Sequence, residues 1–395
     1  MESDERQKLV IDLMDTFVRL TGAKPGGGNP RRYLWTDAFA VCNFLELHRL
    51  TGEERFIEQA ICLVDQVHEV LGRHRSDDER KGWISGLPEE EGREHPTAGG
   101  LRIGKLGKER TAAEPLTPGE EWERDGQYIH YLTKWMHALA RVSEAANDPK
   151  YLRWAIELAD VAQRRFSYMA PSGERRMYWK MSIDLSRPLV PMMGQHDALD
   201  ALITYRELVL AEQRFPEERF PDLGPAMDDA SSMCRIGSWA TDDPLGIGSL
   251  LDCAWWAALM DDGSGVGLLR RIAAAAVVSL GALGSLDGEM PASRRLAFRE
   301  LGLSIGLHAL ESLNDRIDRD KADGLLLDQI EVLRSYSPLG RRTESFWTDP
   351  RNRRNPMWAE HEEINSVMLA TSLMPGGFLE LWVPPDRTAV VKRAP

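Results

Sequence analysis

The chain has 395 residues, 43% of them hydrophobic and 28% charged, so it can form a large core and is not disordered throughout. Its 62 acidic and 49 basic residues give a formal net charge of -13, which argues against a general nucleic-acid binder because phosphate neutralisation needs a basic surface. The longest apolar stretch, Ile272–Leu283, is too short to span a bilayer, and MESDERQKLV does not resemble a signal peptide, so we expect a cytoplasmic protein without a membrane partner.

The first predicted elements are helices. Asp4–Leu20 is the first, and Asp37–His48 places apolar side chains at steps of three and four residues, which is typical of a helix face. A turn at Leu50–Glu53 follows, and Phe56–Val67 then shows the same helical spacing. The pattern predicts a helical hairpin.

The hairpin pattern repeats further along the chain. Asp125–Leu139 predicts a helix that ends near Asn147, Pro149 suits the first turn of the next helix, and Tyr151–Ala162 carries its apolar stripe. WTDAF aligns with ERDGQY, and TGEERF aligns with NDPKYL. We interpret this as an internal repeat of helix, tight turn and helix.

Four more hairpins complete the series. Their first helices are predicted to start near His196, Asp243, Arg299 and Glu360. Their partners are predicted at Leu223–Arg235, Leu268–Leu283, Ala322–Ser335 and, for the last, Asp4–Leu20.

Six hairpins resemble the all-α (α/α)6 toroid of the six-hairpin glycosidase-like superfamily, with six inner and six outer helices. The resemblance covers residues 1–395 and implies a single domain. The alternative is an open α-solenoid, whose repeats have a near-constant period. The first helices at Asp37, Asp125 and Asp197 start 88 and then 72 residues apart, which favours the toroid.

The unequal intervals arise from three long segments at about 72–122, 167–194 and 335–358. In a toroid, long loops before the inner helices would share one rim. Loops of this length are usually functional or disordered, and these contain aromatic residues that disordered linkers lack. We expect this rim to be the mouth of a binding site, with stacking or substrate contacts from Trp35, Trp83, Tyr128, Trp179 and Trp347.

Acidic residues at the predicted inner-helix starts are candidates for glycoside hydrolysis, which uses two carboxylates. Asp37 and Asp125 would be neighbours in a ring and are the expected acid/base pair, and Asp197 or Glu362 could equally supply the second carboxylate. The alternative is that such residues cap helices, as we expect for Asp243.

The segment EWERDGQYIHYLTKW loosely resembles the Trp-x-Arg stretch of unsaturated glucuronyl hydrolases. Trp122 and Arg124 match that stretch, while Asp125 stands where the family has glycine. The resemblance gives Asp125 no catalytic role by itself. We expect Arg124 to contact a sugar hydroxyl or an anionic group.

Two histidines suggest a second chemistry. His196 and His361 start the third and sixth inner helices, each with a polar residue, Asp200 or Asn365, one turn later. N-acylglucosamine 2-epimerases resemble this in using histidines of the central cavity as acid and base, although this chain has Asp243 where they have one of those histidines.

The sequence thus predicts a carbohydrate-active enzyme, in first place a glycoside hydrolase acting on a short or conjugated saccharide, acidic saccharides included. A sugar epimerase or isomerase is the alternative, and a non-enzymatic toroid that binds a protein or small ligand is the third. No metal or cofactor is expected, because the histidines and cysteines lack ligand spacing. The oligomeric state is left open.

Overall fold

Helices provide most of the regular structure in the computed structural model, which describes residues 2–24, 26, 30–260, 266–283, 290–317 and 324–384. The α-helices are α1 (Ser3–Thr21), α2 (Leu34–Thr51), α3 (Glu54–Leu71), α4 (Glu89–Glu94), α5 (Pro118–Glu121), α6 (Ile129–Ala146), α7 (Pro149–Phe166), α8 (Asp197–Glu212), α9 (Gly224–Met233), α10 (Pro244–Leu259), α11 (Val266–Ala282), α12 (Ala297–Arg316), α13 (Gly324–Arg334), α14 (Ser337–Thr348), α15 (Pro350–Arg353), α16 (Pro356–Glu360), α17 (Glu362–Leu373) and α18 (Gly376–Leu379). The strands are β1 (Gln127–Tyr128), β2 (Ser167–Met169), β3 (Arg175–Met177), β4 (Lys180–Met181) and β5 (Pro188–Val190).

The chain divides into two compact units, which are described separately. The first unit is Thr21–Gly237, and the second combines Met1–Leu20 with Ser238–Pro395. The single domain expected for residues 1–395 stays a prediction. None of the described helices is long and apolar enough to cross a membrane.

Three helical hairpins build the first unit: α2 with α3, α6 with α7, and α8 with α9. Helix α6 also packs against both α2 and α8, so these three helices lie side by side. Every residue of α2 from Leu34 to Leu47 is buried, whereas α3 buries only one stripe. This difference identifies α2 as an inner and α3 as an outer helix.

The turns of the first two hairpins are alike in conformation. Gly52 ends α2 and Asn147 ends α6, both in the left-handed region, with φ of 69° and 50°. Asp148 then caps α7 by accepting a hydrogen bond from the Lys150 N–H. The structural repeat therefore pairs Gly52 with Asn147, one residue away from the sequence alignment.

The second unit contains the hairpins α10 with α11 and α12 with α13. Helices α10 and α12 approach closely because glycines face each other: a Cβ built on Gly248 would lie 2.1 Å from the Gly302 carbonyl oxygen. Asp243 accepts a hydrogen bond from the Gly246 N–H and caps α10.

The segment 335–358, predicted to be a long loop, is instead largely helical. It contains α14, α15 and α16, and α14 packs against α12 and α17. The buried residues of α14 include Leu339, Thr343 and Trp347, which are spaced at four residues. The many charges between them hide this helical period in the sequence.

The segments 72–122 and 167–194 are only partly irregular. The first contains α4 and α5, and the second contains four short strands. Strand β4 pairs antiparallel with both β1 and β5, with Tyr128 opposite Lys180. This small sheet holds Trp179, which precedes β4, beside the start of α6.

Candidate active site

An aromatic cluster lies where α2 and α6 begin. Tyr33 precedes α2, Tyr128 precedes α6, and His130 and Tyr131 lie in the first turn of α6. The hydroxyls of Tyr33 and Tyr131 are 2.5 Å apart. The ring centroids of Tyr128 and Trp179 are 5.3 Å apart, and the His130 ring stacks on Trp179 at 6.1 Å with an interplanar angle of 17°. The fold thus surrounds one histidine with aromatic rings.

His130 faces a carboxylate. Its Nδ1 atom lies 3.6 Å from Oδ1 of Asp197, the first residue of α8. The Asp197 side chain is buried, and its Oδ2 accepts a hydrogen bond of 2.8 Å from the Gly194 N–H. The His130 side chain is 27% exposed, although Nδ1 itself is buried and has no hydrogen-bond partner among the described residues. A small closure of the 3.6 Å gap would form a hydrogen-bonded pair, so this histidine is suited to proton transfer.

The facing sides of α6 and α8 carry further pairs of polar side chains. Lys134 Nζ lies 3.7 Å from Asp200 Oδ1, and His137 Nδ1 lies 2.8 Å from Glu207 Oε1. Lys134 and His137 follow His130 at steps of four and three residues, so all three lie on one face of α6. These buried contacts fix the register of the two helices and keep His130 opposite Asp197.

The tyrosines of the cluster remain protonated at neutral pH. Burial is the main cause that raises the pKa of Tyr33, Tyr128 and Tyr131. The Tyr128 hydroxyl is buried and has no hydrogen-bond partner in the described part of the chain. It is therefore an available hydrogen-bond donor.

Asp125, one of the two carboxylates expected to form the acid/base pair, is fully buried with both oxygens occupied. Oδ2 accepts hydrogen bonds from Arg102 at 3.0 Å and from Arg75 at 3.3 Å. Oδ1 accepts from the N–H groups of Gly104 and Gly126 at 3.0 and 3.1 Å. This geometry corrects the expectation of an open acid/base group, because the carboxylate joins the segment around 75–104 to the start of the second hairpin.

Asp37 is also enclosed, but its chemistry differs. Its Oδ1 lies 3.4 Å from Arg32 Nη1, and Oδ2 accepts a hydrogen bond from the Tyr33 N–H at 3.0 Å. Burial raises the pKa of Asp37 from 3.8 to about 6, although Arg32 and the Tyr33 hydrogen bond oppose the shift. The group therefore holds its proton more readily than an ordinary aspartate.

Three tryptophans expected at the rim offer no open face for stacking, which corrects that expectation. Trp35 is buried against Phe39 at 4.6 Å. Trp83 is buried beneath the Arg73 guanidinium, 4.0 Å from its ring. Trp347 belongs to α14 and is fully buried.

Each of the remaining predicted residues has a definite place. Arg124 is held by Glu114 at 3.0 Å and by Glu120 at 3.5 Å, so its guanidinium is not open for an anion. Tyr128, Trp179 and Asp197 come together around His130 as described above.

His196 precedes α8 in the first unit, whereas His361 and Glu362 lie at the start of α17 in the second. The His361 ring lies 5.7 Å from that of Phe298. Asn365 does not orient this imidazole, because its amide bonds to Phe298 N–H and to the Trp358 carbonyl. That the two histidines act together stays a prediction.

The sequence did not single out Tyr33, His130 or Tyr131 as site residues. His130 and Tyr131 belong to the segment EWERDGQYIHYLTKW, which is rich in aromatic residues. The spacing of His130, Lys134 and His137, which places all three on one face of a helix, was the signal that could have identified His130. The described residues contain no group of three or more histidine, cysteine or acidic side chains arranged to hold a metal ion.

Solved structures resemble this chain over nearly its full length. The GH76A alpha-1,6-mannanase from Salegentibacter sp. HEL1_6 matches with a TM-score of 0.53 and 11% identity, covering 93% of this chain and 98% of the other. An inactive variant of that enzyme in complex with alpha-1,6-mannotetrose gives 0.54 and 13%, covering 95% and 99%. The cellobiose 2-epimerase from Spirochaeta thermophila DSM 6192 gives 0.50 and 14%, covering 94% and 97%.

These likenesses confirm the predicted fold, an all-α (α/α)6 barrel. At such low identity they show the fold alone. No family model matches the chain, and no curated protein sequence matches it.

Proposed function

We propose that this protein is a carbohydrate-active enzyme whose reaction takes place at His130. The observation that carries the proposal is the partly exposed imidazole held between a buried carboxylate, Asp197, and the ring of Trp179. Aromatic faces suit the apolar faces of sugar rings. The likeness to a mannanase and to a cellobiose 2-epimerase agrees with a saccharide substrate, although fold alone does not establish function.

The histidine–carboxylate pair favours sugar epimerisation or isomerisation. With Nδ1 facing Asp197, Nε2 of His130 would remove the proton from the carbon beside the carbonyl of an open-chain sugar. Asp197 would stabilise the imidazolium, and the Tyr128 hydroxyl would donate to the enediolate oxygen. Return of a proton to carbon completes the reaction without water being consumed.

Hydrolysis is the second candidate, and the raised pKa of Asp37 favours it. A carboxyl group with a pKa of about 6 can serve as a general acid near neutral pH. Since both oxygens of Asp125 are occupied, Asp197 is the better second carboxylate. The two reactions differ in whether a carbon-bound proton is exchanged.

The test is an NMR assay in D2O with glucose, mannose, cellobiose and alpha-1,6-mannobiose. Deuterium incorporation at C2 of a new epimer, or at C1 of a new ketose, identifies proton transfer, whereas new reducing ends without deuterium identify hydrolysis. His130→Gln is expected to lower the exchange rate by about 10²–10⁴-fold.

The matched control is His48→Gln, a histidine in the last turn of α2 whose Nδ1 lies 3.1 Å from the Glu53 carbonyl. It should leave the rate unchanged. Exchange at the wild-type rate in His130→Gln would refute the role of His130.

A further inference from the structure

Trp122 is an exposed aromatic side chain beside the cluster. Its side chain is 47% exposed, and its ring centroid lies 4.5 Å from that of Trp179. Trp179 in turn stacks on His130 at 6.1 Å. Aromatic surface therefore continues outward from His130 through Trp179 to Trp122, well beyond the imidazole.

A buried clamp fixes the backbone on both sides of Trp122. Lys180 is fully buried, and its Nζ donates to the carbonyl oxygens of Glu121 at 2.7 Å and of Arg124 at 2.8 Å. The same Nζ donates to the Glu121 carboxylate at 2.9 Å, which also accepts from Arg110 at 3.0 Å. An exposed indole on such a fixed backbone loses little backbone entropy on binding, so the surface is preorganised.

The charges around Trp122 are balanced between acidic and basic side chains. Glu120 and Glu123, both exposed, flank it in sequence. The nearby cations are engaged, since Arg124 pairs with Glu114 and Glu120, and Lys105 lies 4.0 Å from Glu123. Cations that already pair with carboxylates gain little from a carboxylate or phosphate on the ligand, so these surroundings favour a neutral ligand.

We propose that Trp122 is the stacking platform for the second ring of a neutral di- or oligosaccharide whose first ring lies at His130. This inference rests on the proposed function and narrows it, because it selects linked neutral sugars over single sugars and over acidic ones. Trp122 is a specificity residue and takes no part in proton transfer.

The experiment compares Trp122→Ala with wild type in steady-state assays on cellobiose and glucose, on alpha-1,6-mannobiose and mannose, and on a glucuronic-acid disaccharide. In the variant, the ratio of the KM for the disaccharide substrate to the KM for its monosaccharide should rise about tenfold, and kcat should change less than about twofold. Trp122→Phe should restore most of the affinity.

Leu50→Ala is the matched control, because Leu50 is also 47% exposed and lies in the last turn of α2. Leu50→Ala should leave the ratio of the disaccharide KM to the monosaccharide KM unchanged for both sugar pairs. Equal KM values in Trp122→Ala and wild type, preference for monosaccharides, or preference for the acidic disaccharide would each overturn the inference while leaving the proposed function intact. Absence of turnover of every saccharide by wild type would overturn both.

Discussion

Replacing Asp125 by asparagine separates a structural role from a catalytic one. The amide keeps an oxygen acceptor for the N–H groups of Gly104 and Gly126. It places an NH2 group where Oδ2 accepts from Arg75 and Arg102, so two charge-assisted hydrogen bonds become donor–donor contacts. The net charge that neutralised two mostly buried guanidinium groups is lost as well.

The expected loss of stability follows from these contacts. Removing one partner of a buried ion pair costs about 3–5 kcal/mol. Both guanidinium groups keep backbone carbonyl partners, Arg75 at Lys105 and Leu106 and Arg102 at Val70, so we expect the lower end, about 3 kcal/mol. For a unit of this size, that corresponds to a Tm decrease of about 6–12 °C.

Differential scanning calorimetry of Asp125→Asn measures this decrease. The control is Asp77→Asn, because Asp77 is 46% exposed and pairs with the same Arg75 at 2.8 Å. It should cost less than about 1 kcal/mol. Unchanged Tm in Asp125→Asn with loss of turnover would refute the structural role and restore Asp125 as a catalytic group.

Two pH dependences follow from buried groups. The pKa of Asp37 is raised to about 6 in the folded protein, so the stabilisation that Asp37 contributes falls as the pH rises from about 4 to 6. Urea unfolding at a series of pH values should show this fall in the wild type and not in Asp37→Asn. The same pH profile in both proteins would contradict the prediction. Burial lowers the pKa of His68 to about 3, while Trp135 Nε1–H donates to its Nε2 at 3.1 Å. The stabilisation that neutral His68 contributes is therefore lost as the pH falls from about 6.5 towards 3. His68→Gln should make the free energy of unfolding less dependent on pH in this range.

The helices of this protein are largely determined by local sequence. The predicted start of the fourth hairpin, at Asp243 and Pro244, is the observed start of α10, because a capping aspartate before a proline specifies a helix N-terminus within a few residues. The tight turn at Asn147 and Asp148 could also be predicted from the sequence, because Asp148 likewise caps a helix that begins with a proline. Helical periodicity and capping involve neighbours in the chain, so the five hairpins described above could be located without a structure.

The roles of single side chains depended on distant segments. Asp125 looked like an acid/base group until Arg75 and Arg102, 50 and 23 residues earlier, were seen to occupy its oxygens. His130 became a candidate only when α8 placed Asp197 opposite it. Burial and charge pairing decide whether a carboxylate or an imidazole is structural or reactive, and the tertiary packing of residues far apart in the chain sets both.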